Sequence, residues 1–348
     1  ELTILGCGAA APTPYFLTTS QLVNIHDNLI LIDCGEGTQL TLRKNKTKFQ
    51  RIKSILISHM HADHTLGLPG LIASMNLLGR KSDLDIYGPE ELEPMVRKVW
   101  HLTGTHIEFE VHFHVTCSNA SSIIIDERTF TVKSFPTKHR IPTCGFVISE
   151  KKGAYKLKPN MKKRFSLNHL EIQKLKRGED IEKDGKLQVN SRFCNPPDSE
   201  RSYAFAADTS YSLKVVDAVE NCTLLYHEAT FEKRDDKIAK KTLHSTSEDA
   251  ARVAKNAKVG SLLIGHFSNR YCDLTKLLNE AKAIFSKTEL SIEGKTYFIK
   301  YEDLEKKKED TFKNVIHFIN KLKKQDTDFN EKKFLNSIKS TNFVNLKN

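Results

Sequence analysis

The chain has 348 residues and a formal net charge of +11 at pH 7, and 39% of its residues are hydrophobic and 28% charged. This length permits one large α/β domain or two smaller ones, and the composition is typical of a globular protein with a sizeable core. No apolar run approaches the roughly 20 residues needed to span a bilayer. The opening residues ELTIL lack the basic head and long apolar stretch of a secretion signal, and they predict a strand. We therefore expect no membrane-spanning segment.

The net charge indicates which partners the protein binds, and the cysteines indicate in which cell compartment it works. A basic chain favours an anionic partner such as nucleic acid, which it binds through phosphate contacts. Charge alone leaves other partners open, because a lysine-rich chain can also reflect the composition of its genome. The seven cysteines are dispersed without paired spacing, which favours reduced thiols in the cytoplasm over a disulfide framework.

Short apolar runs recur along the chain, and each is followed by polar residues that can carry chemistry. Uninterrupted apolar runs of this length predict strands buried on both faces. Functional side chains in layered α/β folds commonly lie on loops at strand ends. The runs are residues 29–32 before Asp33, 55–57 before Ser58 and His59, 203–207 before Asp208, 223–226 before His227 and Glu228, and 262–265 before His266.

Helical patterns lie between these predicted strands. Residues 66–78 carry apolar residues at helical spacing and end before Gly79, a suitable residue for closing a helix. Residues 247–257 predict a second helix, with Glu248 and Asp249 in its first turn, where the helix dipole favours negative charge. The alternation of strands and helices predicts an α/β fold in which a sheet sandwich is covered by helices.

Residues 58–64, Ser-His-Met-His-Ala-Asp-His, are the strongest functional signal in the sequence. His59 and His61 lie two apart in a predicted turn and can bind one ion. Asp63 and His64 can then face a second ion nearby. Imidazole combined with carboxylate suits zinc better than magnesium or calcium, although ligand type alone leaves manganese, cobalt and iron open. This segment therefore predicts a metal site.

A two-metal site needs more ligands than one loop supplies. His139, Asp208 and His266 complete the count, because two of them follow apolar runs and a carboxylate such as Asp208 can bridge two ions. Paired zinc ions lower the pKa of water to roughly 7 and neutralise charge on a phosphate. Structural zinc sites are usually closed and rich in thiolates. The pattern therefore favours a catalytic two-zinc centre.

These residues resemble the signature of the metallo-β-lactamase superfamily, and further motifs narrow the resemblance to the ribonuclease Z family. The resemblance covers residues 1 to about 300. Its three most specific motifs, at 227–231, 244–246 and 266–271, distinguish these nucleases from lactamases and glyoxalase II. The matching segments are 5–10 with Pro12 and Thr13, 31–39, 67–72, 78–80, 207–209, 227–231 (HEATF), 244–246 (HST) and 266–271 (HFSNRY).

The resemblance implies an αββα sandwich over residues 1–300, with two facing mixed β-sheets flanked by helices. It also implies two zinc ions per subunit. One ion is expected on His59, His61 and His139, the other on Asp63, His64 and His266, with Asp208 bridging the pair.

The resemblance also implies catalytic roles. Asp63 is expected to orient the attacking water as well as bind metal. His244, supported by Glu228, is expected to protonate the leaving 3′ oxygen, since a ribose alkoxide needs a positioned acid. Arg270 is expected to bind a substrate phosphate, and Asp33 to support the loops of the site. The implied reaction removes the 3′ trailer from precursor tRNA, leaving a 3′-hydroxyl on the tRNA and a 5′-phosphate on the trailer.

The family commonly works as a homodimer in which a basic arm of one subunit grips the tRNA. Residues 153–180 are the expected arm here, lysine-rich but without the family's Gly-Pro tip. The chain also carries Phe16 and Leu17 where the family commonly has Arg-Asn. Residues 301–348 form a charged extension beyond the family pattern, expected to be partly helical.

Three alternative functions compete with this interpretation. A small-molecule hydrolase acting on an ester, thioester or phosphodiester would need the metal site but neither the basic arm nor the HST motif. An exonuclease with a β-CASP domain would need a large insertion, yet only 57 residues separate Asp208 from His266. A non-catalytic RNA-binding module would not need a complete ligand set. The sequence therefore favours the endoribonuclease.

Overall fold

The computed structural model describes residues 1–300 apart from Cys117, Asp184, Asp198 and Ser199. The predicted extension, residues 301–348, lies outside the described residues. Most of the described strands belong to a pair of seven-stranded sheets, and the others form two short two-stranded sheets. Among these residues no helix is both long enough and apolar enough to cross a bilayer.

The strands alternate with helices along most of the chain. The strands are β1 (Leu2–Gly6), β2 (Ser20–Ile25), β3 (Asn28–Ile32), β4 (Ile52–Leu56), β5 (Leu84–Gly88), β6 (Val111–Val115), β7 (Ser122–Asp126), β8 (Phe130–Pro136), β9 (Cys144–Glu150), β10 (Lys156–Leu157), β11 (Ile181–Lys183), β12 (Lys186–Gln188), β13 (Cys194–Asn195), β14 (Ser202–Ala206), β15 (Leu224–Glu228), β16 (Ser261–Gly265), β17 (Thr288–Leu290) and β18 (Thr296–Tyr297). The helices are α1 (Thr38–Lys44), α2 (Ala62–Thr65), α3 (Leu68–Leu77), α4 (Leu92–Leu102), α5 (Met161–Arg164), α6 (His169–Lys176), α7 (Asn190–Phe193), α8 (Leu213–Ala218), α9 (Asp236–Thr242), α10 (Ser247–Asn256) and α11 (Thr275–Ile284), with 3-10 turns at Phe49–Arg51 and Lys233–Asp235.

The two large sheets are built alike. The first has the order β18, β1, β2, β3, β4, β5, β6, antiparallel as far as β3 and parallel from β3 to β6. The second has the order β7, β8, β9, β14, β15, β16, β17, antiparallel as far as β14 and parallel from β14 to β17. The parallel strands of a sheet end at one edge, so residues that follow them gather there.

Alternation along β3 shows how the layers pack. Ile30 and Ile32 belong to the buried cluster shared with the second sheet. Leu29 and Leu31 belong to a separate cluster with residues of α1, α3 and α4, which cover the outer face of the first sheet. Such alternation follows from the two-residue period of a strand. The second sheet is covered on its outer face by α8, α10 and α11. This is the αββα sandwich that was predicted.

The predicted helices are confirmed with slightly shorter bounds. α3 lies within the predicted 66–78, and Gly79 follows it in the left-handed conformation at φ +81°. α10 begins after Thr246, whose side chain accepts from the backbone N–H of Asp249 in a capping box. Several strands are longer than the predicted apolar runs, and β15 continues past the predicted run through Glu228, which pairs with Gly265 of β16.

An insertion between β9 and β14 forms a small unit of its own. It contains β10 to β13 and α5 to α7, and it includes the predicted arm, residues 153–180. Its elements pack on a separate hydrophobic cluster. The sequence did not reveal this cluster, because its apolar residues are widely spaced among lysines. The fully buried members are Leu167, Leu175, Ile181, Phe193 and Cys194.

Phe146 lies between the two sheets, so its substitution tests the packing of the sandwich core. Its side chain is fully buried in β9, so we expect Phe146→Ala to lower the free energy of unfolding by about 3–5 kcal/mol through lost burial and a residual cavity. Leu213→Ala, at a side chain that is 66% exposed, is the control, with an expected change within about 0.5 kcal/mol. Urea unfolding measures both, and equal midpoints for the two variants would contradict this packing.

Candidate metal centre

The predicted site residues converge on the edge where the parallel strands end. Asp33 follows β3, Asp208 follows β14 and His266 follows β16, and all three have a left-handed backbone, with φ of +54°, +51° and +58°. This conformation costs non-glycine residues roughly 1–3 kcal/mol and persists only where the surrounding structure holds it. Backbone strain is therefore present at all three strand ends, where the predicted site residues lie.

Three histidines and one carboxylate oxygen form the first group. His61 Nδ1 lies 2.9 Å from His59 Nε2 and 3.2 Å from His139 Nε2. Asp208 Oδ2 lies 3.4 Å from His59 Nε2 and 3.6 Å from His139 Nε2. These four ligand atoms surround one position that a divalent cation could fill.

A second group lies on the other side of the same carboxylate. Asp63 Oδ2 is 3.5 Å from His64 Nε2 and 3.4 Å from His266 Nε2. Asp208 Oδ1 is 3.3 Å from His64 Nε2 and 3.1 Å from His266 Nε2. The two oxygens of Asp208 therefore face different groups, as in a carboxylate that bridges two ions. All seven residues predicted as metal ligands are brought together here.

The chemistry of the groups fits divalent metal. His64 Nε2, His266 Nε2 and Asp208 Oδ1 are buried and have no hydrogen-bond partner among the described residues. A buried polar atom without a partner costs about 1–3 kcal/mol, and a coordinated cation would remove that cost at all three atoms. Imidazole nitrogen and carboxylate oxygen are the donors that transition-metal ions and zinc accept.

The pKa shifts of the histidines also fit a bound divalent metal. Burial lowers the pKa of His59 and His139, and burial together with these two neighbours lowers the pKa of His61 to about 4. These rings are therefore neutral and able to coordinate. Burial also lowers the pKa of His64, but the charges of Asp208, Asp33 and Asp63 outweigh burial and raise it well above its usual value. The carboxylates around His64 thus favour a positive charge at this position, and a bound cation would be one source of it.

Ser58 contacts the ring of His59 in the first group, and Asp33 contacts the ring of His64 in the second group. Asp33 accepts hydrogen bonds from the backbone N–H of Ser58 at 2.8 Å and from its hydroxyl at 2.9 Å. Asp33 Oδ2 also accepts from His64 Nδ1 at 2.6 Å, and Ser58 Oγ lies 2.9 Å from His59 Nδ1. Such contacts orient ligand rings and keep the opposite nitrogen directed at a metal. Asp33 thus supports the site, as predicted for it.

Two further supports were not predicted. His139 Nδ1 donates to the carbonyl oxygen of Leu243 at 3.1 Å, and Leu243 has a left-handed backbone at φ +57°. Asp63 Oδ2 accepts from the backbone N–H of Ala10 at 2.8 Å, and Ala10 also has a positive φ. Both contacts involve main-chain atoms, so no residue type in the sequence marks them.

Glu228 forms a hydrogen-bonded pair with His244 beside the two groups of ligand atoms. It is fully buried, and its carboxylate accepts from the backbone N–H groups of Thr209 at 2.7 Å and Ser245 at 3.0 Å. It also accepts from the Thr230 hydroxyl at 2.6 Å and from His244 Nδ1 at 2.9 Å. Burial lowers the pKa of His244, but the charge and hydrogen bond of Glu228, with further carboxylate charges, raise it to about 9. His244 is therefore cationic at neutral pH.

Thr230 connects the Glu228–His244 pair to His266, one of the predicted metal ligands. Because its single hydroxyl proton goes to Glu228, its oxygen accepts from His266 Nδ1 at 2.9 Å. His266 then directs Nε2 toward Asp63 and Asp208. The sequence placed Thr230 in a motif but gave it no role.

Arg270 is exposed and lies beside this centre. Its guanidinium sits 5.1 Å from the centroid of the Phe231 ring, and that ring lies 6.1 Å from the ring of His244. Arg270 Nε donates to Ser268 Oγ at 3.1 Å. The side chain of Arg270 is therefore separated from His244 by one ring, that of Phe231.

Fold and site together define a hydrolase of the metallo-β-lactamase fold. The metallo-β-lactamase fold protein YhfI from Bacillus subtilis aligns with a TM-score of 0.59 and 20% identity, over 85% of this chain and 97% of that one. At that identity the likeness concerns the fold alone. A family model described as "Anti-Pycsar protein Apyc1" matches residues 1–156, which is less than half of the chain.

Closer relatives give the family. The ribonuclease Z of Parabacteroides distasonis is 40% identical over 295 residues, covering 84% of this chain and 97% of that relative. The crystal structure of human tRNase Z, short form (ELAC1), aligns with a TM-score of 0.63 and 26% identity, over 86% of this chain and 99% of that one. The chain belongs to the ribonuclease Z family and is an endoribonuclease, a phosphodiester hydrolase.

Thr230→Val tests the link between Thr230 and His266, because it keeps the shape of the side chain and removes the hydroxyl. We expect the affinity for divalent metal to fall roughly 10–100-fold, the usual effect of losing an outer hydrogen bond to a ligand. Thr230→Ser should restore most of it. Equilibrium metal titration of the purified chains measures the change, and equal affinity for Thr230→Val and wild type would contradict the link.

Proposed function

We propose that the protein is a zinc-dependent endoribonuclease that removes the 3′ trailer from precursor tRNA, leaving a 3′-hydroxyl on the tRNA and a 5′-phosphate on the trailer. The main support for the proposal is the arrangement around Asp208, whose two oxygens face two separate groups of ligand atoms. The names of its relatives support the substrate, since they include ribonuclease Z and a human tRNase Z.

Two zinc ions are proposed for these groups. His59, His61 and His139 would hold one, and Asp63, His64 and His266 the other, with Asp208 shared. The ions would supply a lowered pKa for water, to about 7, and neutralisation of the charge that develops on the phosphate.

Asp63 has a second proposed role as the residue that orients the attacking water. Its Oδ2 is fixed by Ala10 N–H, and burial, which raises its pKa, is outweighed by the charges of His64 and His266, which lower it. Asp63 therefore stays ionised and can accept a hydrogen bond from the water. This directs a lone pair of the water oxygen toward phosphorus.

His244 is the proposed general acid. Its Nδ1 is bonded to Glu228, so its Nε2 proton is available to the leaving 3′ oxygen. The ring centroid lies 4.9 Å from that of His139 and 5.5 Å from that of His266, which places the acid beside both metal groups. Glu228 keeps the proton on the imidazole and fixes the ring orientation, so it acts through His244. A positioned acid of this kind typically contributes 10²–10⁴-fold in rate.

Arg270 and the arm are the proposed RNA contacts. Arg270 can bind a phosphate next to the cleaved bond through its planar guanidinium. On the arm, Lys162, Lys163 and Arg164 are exposed along α5. Phosphate contacts of this type position an RNA without reading its sequence. The arm would therefore hold the body of the tRNA while the metal centre acts on its 3′ end.

The proposed assembly is a homodimer formed through the outer face of α3. The sequence from Thr65 to Gly79 has no charged residue, yet Leu66, just before α3, is 58% exposed and Leu77, at the end of α3, is 84% exposed. Gly70 lies on the same face of the helix, and a side chain there would meet open space. An uncharged, apolar helix face of this kind is typical of the core of a homodimer interface.

The proposed compartment is the cytoplasm. Among the described cysteines, Cys7, Cys34, Cys194 and Cys222 are buried free thiols, and Cys272 is an exposed one. Unpaired thiols are typical of proteins in reducing compartments. A reducing cytoplasm is also where precursor tRNA would be available in a cell without a nucleus.

The proposed function is tested with a 3′-extended precursor tRNA and the His244→Ala variant. Wild type should cut once at the 3′ end of the tRNA body, with the end groups given above. His244→Ala should retain its zinc while kcat falls by roughly 10²–10⁴-fold. His64→Ala is the matched control, which should lose both zinc and cleavage. If zinc content in His244→Ala falls as far as the rate, His244 is a metal ligand and the acid assignment is wrong.

Gly70→Arg tests the assembly. An arginine at this open position should fit the monomer and place an unpaired charge at the centre of the proposed interface. We expect wild type to sediment as a dimer and Gly70→Arg as a monomer with the same circular dichroism spectrum. A monomeric wild type, or a variant that remains dimeric, would contradict the proposed interface.

A further inference from the structure

Residues 43–53 form an unusually basic segment outside both the metal centre and the arm. The sequence Arg-Lys-Asn-Lys-Thr-Lys-Phe-Gln-Arg-Ile-Lys contains six basic residues and no acidic one. It runs from the end of α1 through the 3-10 turn Phe49–Arg51 into β4. The surface that it forms, here called the α1–β4 basic surface, consists of Arg43, Lys44, Lys46, Lys48, Arg51 and Lys53.

All six side chains are exposed. The hydrogen bonds and the ring contact that they form involve uncharged groups. Arg51 Nη2 donates to the backbone carbonyl of Asp27 at 3.5 Å, and Lys53 Nζ donates to Asn28 Oδ1 at 2.7 Å. Arg43 lies 5.8 Å from the centroid of the Phe49 ring. Among the residues that the structure describes, no carboxylate forms an ion pair with any of the six.

Some cations elsewhere in the described chain are paired with carboxylates. Lys81 pairs with Glu108 at 2.7 Å, and Lys240 pairs with Asp236 at 2.7 Å. Further cations paired with carboxylates are Arg97, Lys151, Arg177, Lys183, Lys233, Arg252 and Lys276.

Helix electrostatics explain only some of this charge. Arg43 and Lys44 lie in the last turn of α1, where positive charge is favourable. Lys46, Lys48 and Lys53 lie beyond the helix and have no such role. A group of uncompensated like charges repels itself in the isolated protein, which indicates an anionic partner.

The surface is rigidly held and is remote from the metal centre. Phe49 and Ile52 anchor the segment in the hydrophobic cluster between the first sheet and the helices on its outer face. Lys53 lies near the start of β4 and His59 follows its end, so at about 3.3 Å per residue the two are separated by roughly 20 Å. A stacked strand of nucleic acid spans that distance with about six nucleotides, at about 3.4 Å each.

We propose that the α1–β4 basic surface is a second phosphate-binding surface for the RNA substrate, separate from the arm and several nucleotides from the cut. This rests on the proposed function, which supplies the RNA. The surface exposes no aromatic ring, because Phe49 is buried, so it binds backbone phosphates and does not read bases. It also exposes no large apolar side chain between 43 and 53, and an anionic bilayer would therefore find no anchor there.

The experiment compares two triple variants of the full chain with equal charge loss. The first is Lys44→Gln, Lys46→Gln and Lys48→Gln. The control is Lys81→Gln, Lys151→Gln and Lys240→Gln, which removes three cations that are paired with carboxylates. The KM and Kd for a precursor tRNA are measured over a range of salt, with bis(p-nitrophenyl) phosphate hydrolysis as the readout of the metal centre.

The surface variant should raise KM for the RNA at least 10-fold. It should reduce the slope of log K against log salt by about 2–3, since each lost phosphate contact removes about 0.7–0.9. The single variants Lys46→Gln and Lys48→Gln should each reduce the slope by about 0.7–0.9, the value for one lost phosphate contact. These single variants keep the test valid if the triple variant folds poorly. KM and slope equal to those of the control would overturn the proposal. A wild type that does not cleave precursor tRNA would instead overturn the proposed function.

Discussion

The shared carboxylate of Asp208 is the constraint on which the rest of the site depends. It is buried, with one oxygen 3.4 Å from His59 Nε2 and the other 3.1 Å from His266 Nε2. These two rings come from different sheets, because His59 follows β4 and His266 follows β16. Two groups of ligands can face one carboxylate only if the sheets close on each other at this edge. The sandwich is therefore the means by which the site is assembled.

Strand ends supply the ligands, and hydrogen bonds behind them fix their orientation. Asp33 and Ser58 hold His59 and His64 from the first sheet. Thr230 holds His266 from the second sheet and at the same time contributes to the pocket of Glu228. The proposed metal ligands and the proposed general acid thus share one hydrogen-bonded framework. A change at Thr230 is therefore expected to affect both His266 and Glu228.

Much of the fold and site could be predicted because the signals are local. The cluster at 58–64 concentrates four ligand side chains in seven residues, and apolar runs before Asp208 and His266 placed these residues at strand ends. The apolar helical pattern of 66–78 and its closing glycine located α3. In each case neighbouring residues in the chain carry the physical cause, so spacing was sufficient.

The features that were missed depend on contacts across the fold. The Leu243 carbonyl and the Ala10 N–H are main-chain groups directed by positive φ angles, which residue type does not reveal. The cluster that includes Leu175 and Phe193 joins segments far apart within a lysine-rich insertion. Thr230 acquires its role only because β15 and β16 lie side by side. Such arrangements follow from tertiary packing, and periodicity does not report them.

The zinc content of the purified chain at equilibrium, for wild type and for Asp208→Asn, tests the central claim most directly. The amide keeps the size of the side chain but loses the negative charge that both groups share. The account predicts two zinc ions per wild-type chain and the loss of both in Asp208→Asn. A wild type that binds no zinc, or an Asp208→Asn chain that keeps both ions, would contradict it.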